Sequence, residues 1–518
     1  MFNSEIIDFV EKKANKKVLI IGGGTGQTSA FMLENMDENF EVTLVEKSSR
    51  LGGHIYSIDF GDHGIAEGGA EFIGSRESYP NFHHLCKVLN VELVPYELNA
   101  DFHKISIEHS KDEHILLPPI YHRTDTTENY GCLSFLFNSN TKKQNTTNIS
   151  LHTILKYFAS ILELEWAILR AKYNQSPENI KDVETLEQFV DRFKKDSDFL
   201  EKEIDQFADQ LLYPMVAAAW GVAISEAKKF CAHYAMNYLS LSKDWYDAPK
   251  GLSSYMKAMQ DKSKHLDTRL NTEVVKLICV NEESNEAPQY KALLSDESFL
   301  SDEKGNPVIF DEVIISTPAY ATKNILPDID NKEMKELKEA LDAVKYYKTT
   351  LVFHTDKSYE TPNKTVIHTR VEGDYAANTA QKDWKATNGK IAVMKTWVLP
   401  GQKKPKEDTI LQECQYKHPY MDKNYFIAQQ TLHKLQNKYG LHFGGILGGR
   451  GDSHEDATIA ALQVARTICI KYNCLKNSSR LKDFLDEKGY VNDRNTQLST
   501  SHNWLESNSN QYVLSKTN

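Results

Sequence analysis

Val18-Leu19-Ile20-Ile21-Gly22-Gly23-Gly24-Thr25-Gly26 decides how this sequence folds. Val18 to Ile21 is a short apolar run, the pattern of a strand buried on both faces in a parallel sheet. Glycines follow at once, and Thr28-Ser29-Ala30-Phe31-Met32-Leu33 then opens a helical pattern. Gly22 allows a tight turn. Gly24 lets the backbone come close to a pyrophosphate, and the helix start beyond Thr25 and Gly26 offers free N–H groups and partial positive charge. Counting G-x-G-x-x-G from Gly22 puts Gln27 where the third glycine would stand. That glycine permits close packing of helix on strand, and Gly26, one residue earlier, is placed to share the work.

A second strand follows in Phe40-Glu41-Val42-Thr43-Leu44-Val45-Glu46. It ends in an acid at the distance where a carboxylate accepts hydrogen bonds from the ribose hydroxyls of an adenosine half. A 2′-phosphate would be repelled there, which disfavours NADP. Lys47, next in the chain, is grouped with Glu46 as a cofactor contact. Strand, glycines, helix, strand and terminal acid arrive in the order of a Rossmann-type dinucleotide site.

The choice of dinucleotide comes from Arg50-Leu51-Gly52-Gly53-His54 and Ala66-Glu67-Gly68-Gly69-Ala70-Glu71-Phe72-Ile73. Here the sequence resembles the flavin-dependent amine oxidase superfamily. The resemblance implies non-covalent FAD, with Gly52, Gly53, His54, Gly69, Ala70 and Glu71 passing close to it. His54 stands where the family often has Arg. The superfamily closes its FAD domain with a C-terminal strand and helix, matched by Leu441-His442-Phe443-Gly444-Gly445 and His454-Glu455-Asp456-Ala457. The sense is a second helix N-terminus whose free N–H groups stabilise negative charge on reduced flavin. Glu455, Asp456 and Ala457 form that first turn; the plain alternative is a solvated, acid-rich helix start. The resemblance also gives Val274 a backbone pairing with adenine, and the strand Phe310 to Pro318 ends beneath the cofactor at Thr317.

The chain is similar to a bacterial branch of FAD-dependent oxidoreductases, some encoded near fatty-acid-modifying enzymes. The shared islands are Gly52-Gly53-His54, Ser78-Tyr79-Pro80-Asn81, Phe353-His354-Thr355-Asp356, His418-Pro419 and His454-Glu455-Asp456. Ala457 replaces that branch's usual Gly, and Ser453 replaces an aromatic.

The expected fold is α/β: a glutathione-reductase-like, Rossmann-type FAD domain interleaved with an α+β substrate domain carrying a helical insertion. FAD-domain segments fall at 16–78, 260–320 and 431–472. The substrate domain takes 79–259, with the insertion, and 321–430, with its sheet; a polar tail fills 473–518. Within the insertion, 149–173 carries apolar residues at helical spacing, a buried amphipathic helix, with a lipid-facing helix the sharper alternative. Leu211 to Gly221 resembles the family's cavity-lining segment; Val216 and Trp220 face either cavity or core. Tyr346 to Phe353 alternates like a half-buried strand. On it Lys348 matches the family's flavin-side lysine by position, and equally suits a surface lysine on a strand edge. Trp397, Tyr416, His418 and Tyr420 are further substrate-cavity candidates, since aromatic faces pack apolar or cationic groups.

Composition bounds the rest. The 518 residues, 40% hydrophobic and 26% charged, exceed one simple core. A net charge of −11 with no basic patch disfavours nucleic acid. Seven scattered cysteines without a C-x-x-C pair favour a reducing, cytoplasmic setting. No apolar run approaches the ~20 residues that span a bilayer. No metal-ligand cluster or Ser–His–Asp motif stands out; His83-His84 are adjacent and do not share a helix face. The expected function is hydride transfer from a small amine, amino-acid derivative or biosynthetic intermediate to FAD. Two rivals stand beside it: a lipid desaturase, reductase or double-bond isomerase, and a non-catalytic FAD-binding protein. A homodimer is admissible.

Overall fold

The apolar run at the front of the chain becomes the central strand of a parallel sheet. The computed structural model describes residues 15–36, 40–76, 78–96, 100–105, 112–115, 184–195, 204–205, 208–232, 234–235, 245–280, 287–360, 367–399, 402–449 and 453–472. The expected helix over 149–173, the 473–518 tail and the Arg450-Gly451-Asp452 tripeptide lie outside the described residues. Two compact units form. The first draws on Met1–Gly53, Met256–Leu341 and Thr431–Asp486; the second on His54–Tyr255 and Asp342–Gln430. Residues 54–78, expected in the dinucleotide segment, pack in the second unit, whereas 256–259 and 321–341 pack in the first.

In the first unit, Lys16–Ile21 lies between Glu312–Ile315 and Phe40–Val45, with Leu441–Phe443 and Asp267–Arg269 at the edges, all parallel. Val18, Leu19 and Ile20 are completely buried, as an all-apolar run in such a sheet requires. The helix Gly26–Met36 follows the first strand, and Gly26 permits its close seating. A Cβ there would lie 2.9 Å from Ile20 Cγ2 and 3.3 Å from Ser316 Cβ. Gln27 is buried elsewhere, its Nε2 donating to the Met256 carbonyl at 2.6 Å. The packing role of the missing third glycine therefore falls to Gly26.

One buried carboxylate ties the late segments of this unit together. Glu312 accepts from His442 Nε2 at 2.7 Å, from Tyr472 OH at 2.5 Å and from Lys471 Nζ. Burial alone would push its pKa up; His442 and Lys471 outweigh burial and hold it at about 2. The strand Glu312–Ile315, the strand Leu441–Phe443 and the end of the helix His454–Lys471 thus share one anchor.

Leu270 to Ile278 reads in the sequence as one strand, but only the part from Val274 onward is strand. Asp267–Arg269 joins the parallel sheet, and Val274–Cys279 starts a separate hairpin with Tyr290–Leu294. Asn271, at φ 51°, turns the chain between them, in a left-handed conformation that asparagine tolerates.

The second unit is built on a seven-stranded sheet in the order Ile410–Pro419, Tyr346–His354, Met394–Val398, Tyr375–Gln381, Ile367–Glu372, Ala100–Ile105, Asp112–Ile115. Burial along Ile410–Pro419 alternates between half-buried and exposed through Lys417, the signature of a sheet edge. Tyr346–His354, one strand in, follows alternation only in its first half; Leu351 to His354 are buried on both faces. The helix Tyr213–Trp220 packs on this sheet, where Asn378 Nδ2 donates to the Ala218 carbonyl at 3.0 Å. Among the described residues no helix is long and apolar enough to cross a membrane.

Gly26→Ala should destabilise the protein by about 1–3 kcal/mol, the usual size of an overpacking change against a fixed neighbour. Thermal and urea denaturation of the cofactor-stripped protein measures this. Wild-type stability in that variant would remove Gly26 from the packing role.

Candidate active site

Three strands of the first unit end side by side, and the loops that leave them carry almost no side chain. Gly22 N donates to the Val45 carbonyl, Ser316 N to Ile21 and Gly444 N to Ile315, at 2.8–2.9 Å. A Cβ on Gly22 would lie 2.5 Å from the Ser316 carbonyl oxygen, and one on Gly444 2.5 Å from Ser316 Oγ. Gly22 also sits at φ 102°, where a side chain is strained. This is the crevice outside the carboxyl ends of parallel strands where open α/β sheets bind ligands.

The concave wall above it is backbone. Gly52 N donates to the Gly23 carbonyl at 2.8 Å, which stitches the Leu51-Gly52-Gly53 turn to the first loop. A Cβ on Gly24 would meet nothing nearer than Gly52 O and Gly53 Cα at 3.8 Å. Bare peptide on both sides, with a helix starting at Gly26, suits a pyrophosphate. Thr25 is half-buried at that helix start, its carbonyl accepting from Thr28 N.

Glu46 stands beside this wall. Its Oε2 accepts from Gly23 N at 2.7 Å and its Oε1 from Ser48 N at 2.9 Å. An ionised carboxylate has about four acceptor positions, so two backbone donors leave room for two ribose hydroxyls. Thr272 N donates to the Glu46 carbonyl and Asn271 N to that of Ser48, which brings the 271–274 segment and buried Val274 up to the acid. Lys47 points outward and is exposed. Thr317 Oγ1 and Thr322 Oγ1 lie 2.9 Å apart, and Gly445 takes φ 72°. The FAD-binding set of the first unit therefore fits the group on geometry: an open glycine cradle, an acid held in place and a strand-end crevice.

The helix His454–Lys471 differs from expectation. Ser453 caps it through a reciprocal box: Asp456 N donates to Ser453 Oγ at 3.1 Å, and Asp456 Oδ2 accepts from Ser453 N at 3.1 Å and Ser453 Oγ at 2.6 Å. Ala457 N donates to the Ser453 carbonyl. The amides of Asp456 and Ala457 are thus satisfied inside the helix rather than offered to an anion. The Ser-x-x-Asp pattern, a capping signal, was open to reading in the sequence. Glu455 is buried.

The profile of the family described as flavin containing amine oxidoreductase matches residues 26–391. The chain belongs to this family. It is an FAD-dependent oxidoreductase. Among solved structures it is similar to cyclohexylamine oxidase from Brevibacterium oxydans IH-35A, at 13% identity and TM-score 0.59, covering 89% of this chain and 100% of that one. It is also similar to putrescine oxidase, at 12% and 0.57, covering 88% and 99%. A CLA-producing fatty acid isomerase from P. acnes gives 12% and 0.56, covering 88% and 98%. At these identities the likeness shows the shared fold, a Rossmann-type α/β domain interleaved with an α+β domain.

Other residues singled out in the sequence of this flavin amine oxidoreductase lie in the second unit. His54 is exposed, with its ring 5.2 Å from Tyr416 and 5.3 Å from His418. His418 also meets Tyr347 at 5.7 Å and Trp397 at 5.8 Å, and Tyr347 meets Tyr420 at 4.9 Å. Tyr416, His418, Trp397 and Tyr420 are thus brought together. Burial, with His54 beside it, pulls the His418 pKa down to about 3. Its Nε2 is buried and has no hydrogen-bond partner among the described residues. Trp220 is half-buried, its carbonyl accepting from Tyr347 OH. Val216, with no exposed surface, is core.

Lys348 is not part of this cluster. Residues opposite one another in an antiparallel pair share a face, and faces alternate along a strand. Tyr347 opposes His418 and Thr349 opposes Tyr416, so Lys348, opposite Lys417, is exposed on the other face. The lysine on the cluster's face is Lys395, opposite Phe353 and two residues from Trp397. It is buried against Glu71 and donates to the Gly69 carbonyl at 3.3 Å. Sequence reading missed it, because a lysine in an alternating strand carries no mark of burial; Lys382, Lys385 and Asp247 were missed as well. Gly69 is half-buried, Ala70 exposed and Glu71 buried.

Glu46→Ala should weaken FAD binding by about 10- to 100-fold, the worth of one or two charge-assisted hydrogen bonds. Fluorescence titration of the stripped protein with FAD measures the loss, and unchanged affinity would take Glu46 out of the site.

Proposed function

We propose that this FAD-dependent oxidoreductase oxidises a small amine or amino-acid derivative, held against the face formed by Tyr347, Trp397, Tyr416, His418 and Tyr420. The observation that carries the reading is the buried, unpartnered Nε2 of His418 within an aromatic cluster. A buried polar atom left unpaired costs about 1–3 kcal/mol, and a ligand N–H removes that cost. A neutral imidazole accepts such a hydrogen bond and does not repel an ammonium group, which the surrounding rings attract through their faces. Bound FAD supplies the hydride acceptor. The chain's own part is to bind and orient the carbon that loses hydride and to keep water from it.

His54, Gly69, Ala70 and Glu71 are cofactor contacts on this reading. Lys348, exposed on the other face, is assigned no catalytic role. Free thiols at Cys86, Cys231, Cys279, Cys414 and Cys469 support a reducing compartment such as the cytoplasm. Gln27 gives no ground for a protein that has lost FAD, since its side chain is engaged at Met256.

Anaerobic mixing with a panel of primary amines, amino-acid derivatives and unsaturated fatty acids tests the substrate class. Flavin bleaching by amines is expected; bleaching by the fatty acids alone would overturn the proposal. His418→Phe should lower kcat/KM for the amine by about 10- to 100-fold.

The pH dependence has a definite sign. A histidine whose pKa falls from about 6.5 to about 3 on folding stays neutral through the physiological range. It contributes no inflection to kcat/KM between about pH 5 and 8. Because the folded state then binds fewer protons than the unfolded one, stability falls as pH drops below about 6.5. Thermal melts at pH 7 and pH 5 should show a smaller acid loss in His418→Phe than in wild type.

A further inference from the structure

We propose that Lys395 is a positioning residue for the flavin, fixing the Gly68-Gly69-Ala70-Glu71 turn that the His54–Tyr56 backbone also holds. This rests on the reading above that Gly69 and Ala70 lie against the cofactor.

The turn is held by two sets of contacts. Gly68 N donates to the Tyr56 carbonyl at 2.5 Å and Ala70 N to the His54 carbonyl at 3.3 Å. A Cβ on Gly69 would lie 1.9 Å from the His54 carbonyl oxygen, so the two backbones are in full contact there. Lys395 Nζ in turn binds the Gly69 carbonyl at 3.3 Å and pairs with the Glu71 carboxylate, bracketing Ala70 between two attachments. Lys395 belongs to a strand inside the seven-stranded sheet, opposite Phe353 on one neighbour and Ala380 on the other. Its backbone position is therefore fixed by two ladders, and it transmits that position to the turn.

Lys395 ends a chain of buried charges. Glu71 also pairs with Lys382 at 3.2 Å; Lys382 reaches Asp247 at 3.0 Å, and Asp247 reaches Lys385 at 2.8 Å. All five side chains are at most 7% exposed. Burial would raise the Glu71 pKa, but Lys395 and Lys382 overcome it and hold the carboxyl at about 2. Removing charges from water costs several kcal/mol per ion, and well-packed apolar residues often serve stability as well or better. A geometric role accounts for keeping such a chain where bulk stability does not.

The test compares Lys395→Met, Lys395→Arg and the double variant Lys395→Met/Glu71→Leu, which removes the whole pair and leaves no unpaired buried charge on it. Three readouts are taken: the visible absorption and circular dichroism of bound FAD, FAD affinity of the stripped protein, and kcat separately from KM. Lys395→Met should shift the flavin bands and lower kcat about tenfold or more, with FAD affinity changed less than about threefold, because the first-unit cradle is untouched. Lys395→Arg should recover most of the wild-type spectrum. Where Lys395→Met fails to fold, the double variant carries the same expectation for the flavin spectrum and kcat.

A folded Lys395→Met or double variant with wild-type flavin spectrum and kcat would overturn the role of Lys395. Ala70→Leu separates that result from failure of the underlying reading. Ala70 is exposed, so the longer side chain needs no rearrangement of the core. A flavin spectrum altered by Ala70→Leu but not by the Lys395 variants overturns the lysine alone. A spectrum that Ala70→Leu leaves unchanged places the turn away from the flavin and overturns both.

Discussion

The first unit depends on backbones meeting without side chains between them. Three parallel strands finish together, and each continuing chain must turn within van der Waals distance of the next. Gly22 and Gly444 both face Ser316, and neither position has room for a Cβ. Gly26 does the same for the helix above. A single methyl at any of these sites would push loop from loop and widen the crevice that the ligand's phosphates must fit. The glycines are thus packing residues first, and the anion site follows from the packing. Glu312 complements this from the opposite end of the strands, gathering His442, Lys471 and Tyr472 so that the last helix is fixed relative to the sheet.

The second unit solves a different problem. Beside its sheet, buried lysines and carboxylates pair with one another. Asp247 takes two lysines, and Glu71 takes two. Glu67 has none among its hydrogen-bond donors: it accepts from Ser57 Oγ and Leu252 N, and burial raises its pKa. Pairing decides the direction in which each buried carboxyl shifts. Glu71 and Glu67 stand four residues apart and are shifted in opposite directions for that reason.

The first unit was legible because its signals are local. Strand, glycine turn, helix and terminal acid each occupy a few consecutive residues, and their chemistry depends on neighbours in sequence. Even the flaw at Gln27 resolved locally, one residue away at Gly26. The second unit was legible only as composition. Tyr416, His418, Trp397 and Tyr420 could be named as aromatic candidates, yet which lysine shares their face depends on strand register. A shift of one residue exchanges the faces of a strand, and register is set by pairings such as Tyr347 with His418 that no local pattern declares. Position along the chain pointed to Lys348; the pleat puts Lys395 on the face of the aromatic cluster and Lys348 on the other. The helix at His454 shows the converse. The resemblance treated Asp456 and Ala457 as donors to an anion, while the local pattern of Ser453 and Asp456 already described a capping box.

The distribution of charge on the second unit's sheet also bears on selectivity. Glu71, the carboxylate that pairs with Lys395, has both of its oxygens engaged by lysines. His418, two strands away in the sheet, is shifted by burial and by His54, with no carboxylate among the causes. A basic substrate reaching His418 would therefore meet ring faces and an uncharged acceptor. Ring faces stabilise an exposed cation by only about 0.5–1 kcal/mol, rising to about 2 when it is desolvated. Recognition then rests on the fit of the carbon skeleton and on shedding water, and the uncharged amine, which can lose hydride from its α-carbon, incurs the smaller desolvation penalty. A carboxylate placed where His418 stands would hold the ammonium form more tightly and leave less of the reactive form at the same pH.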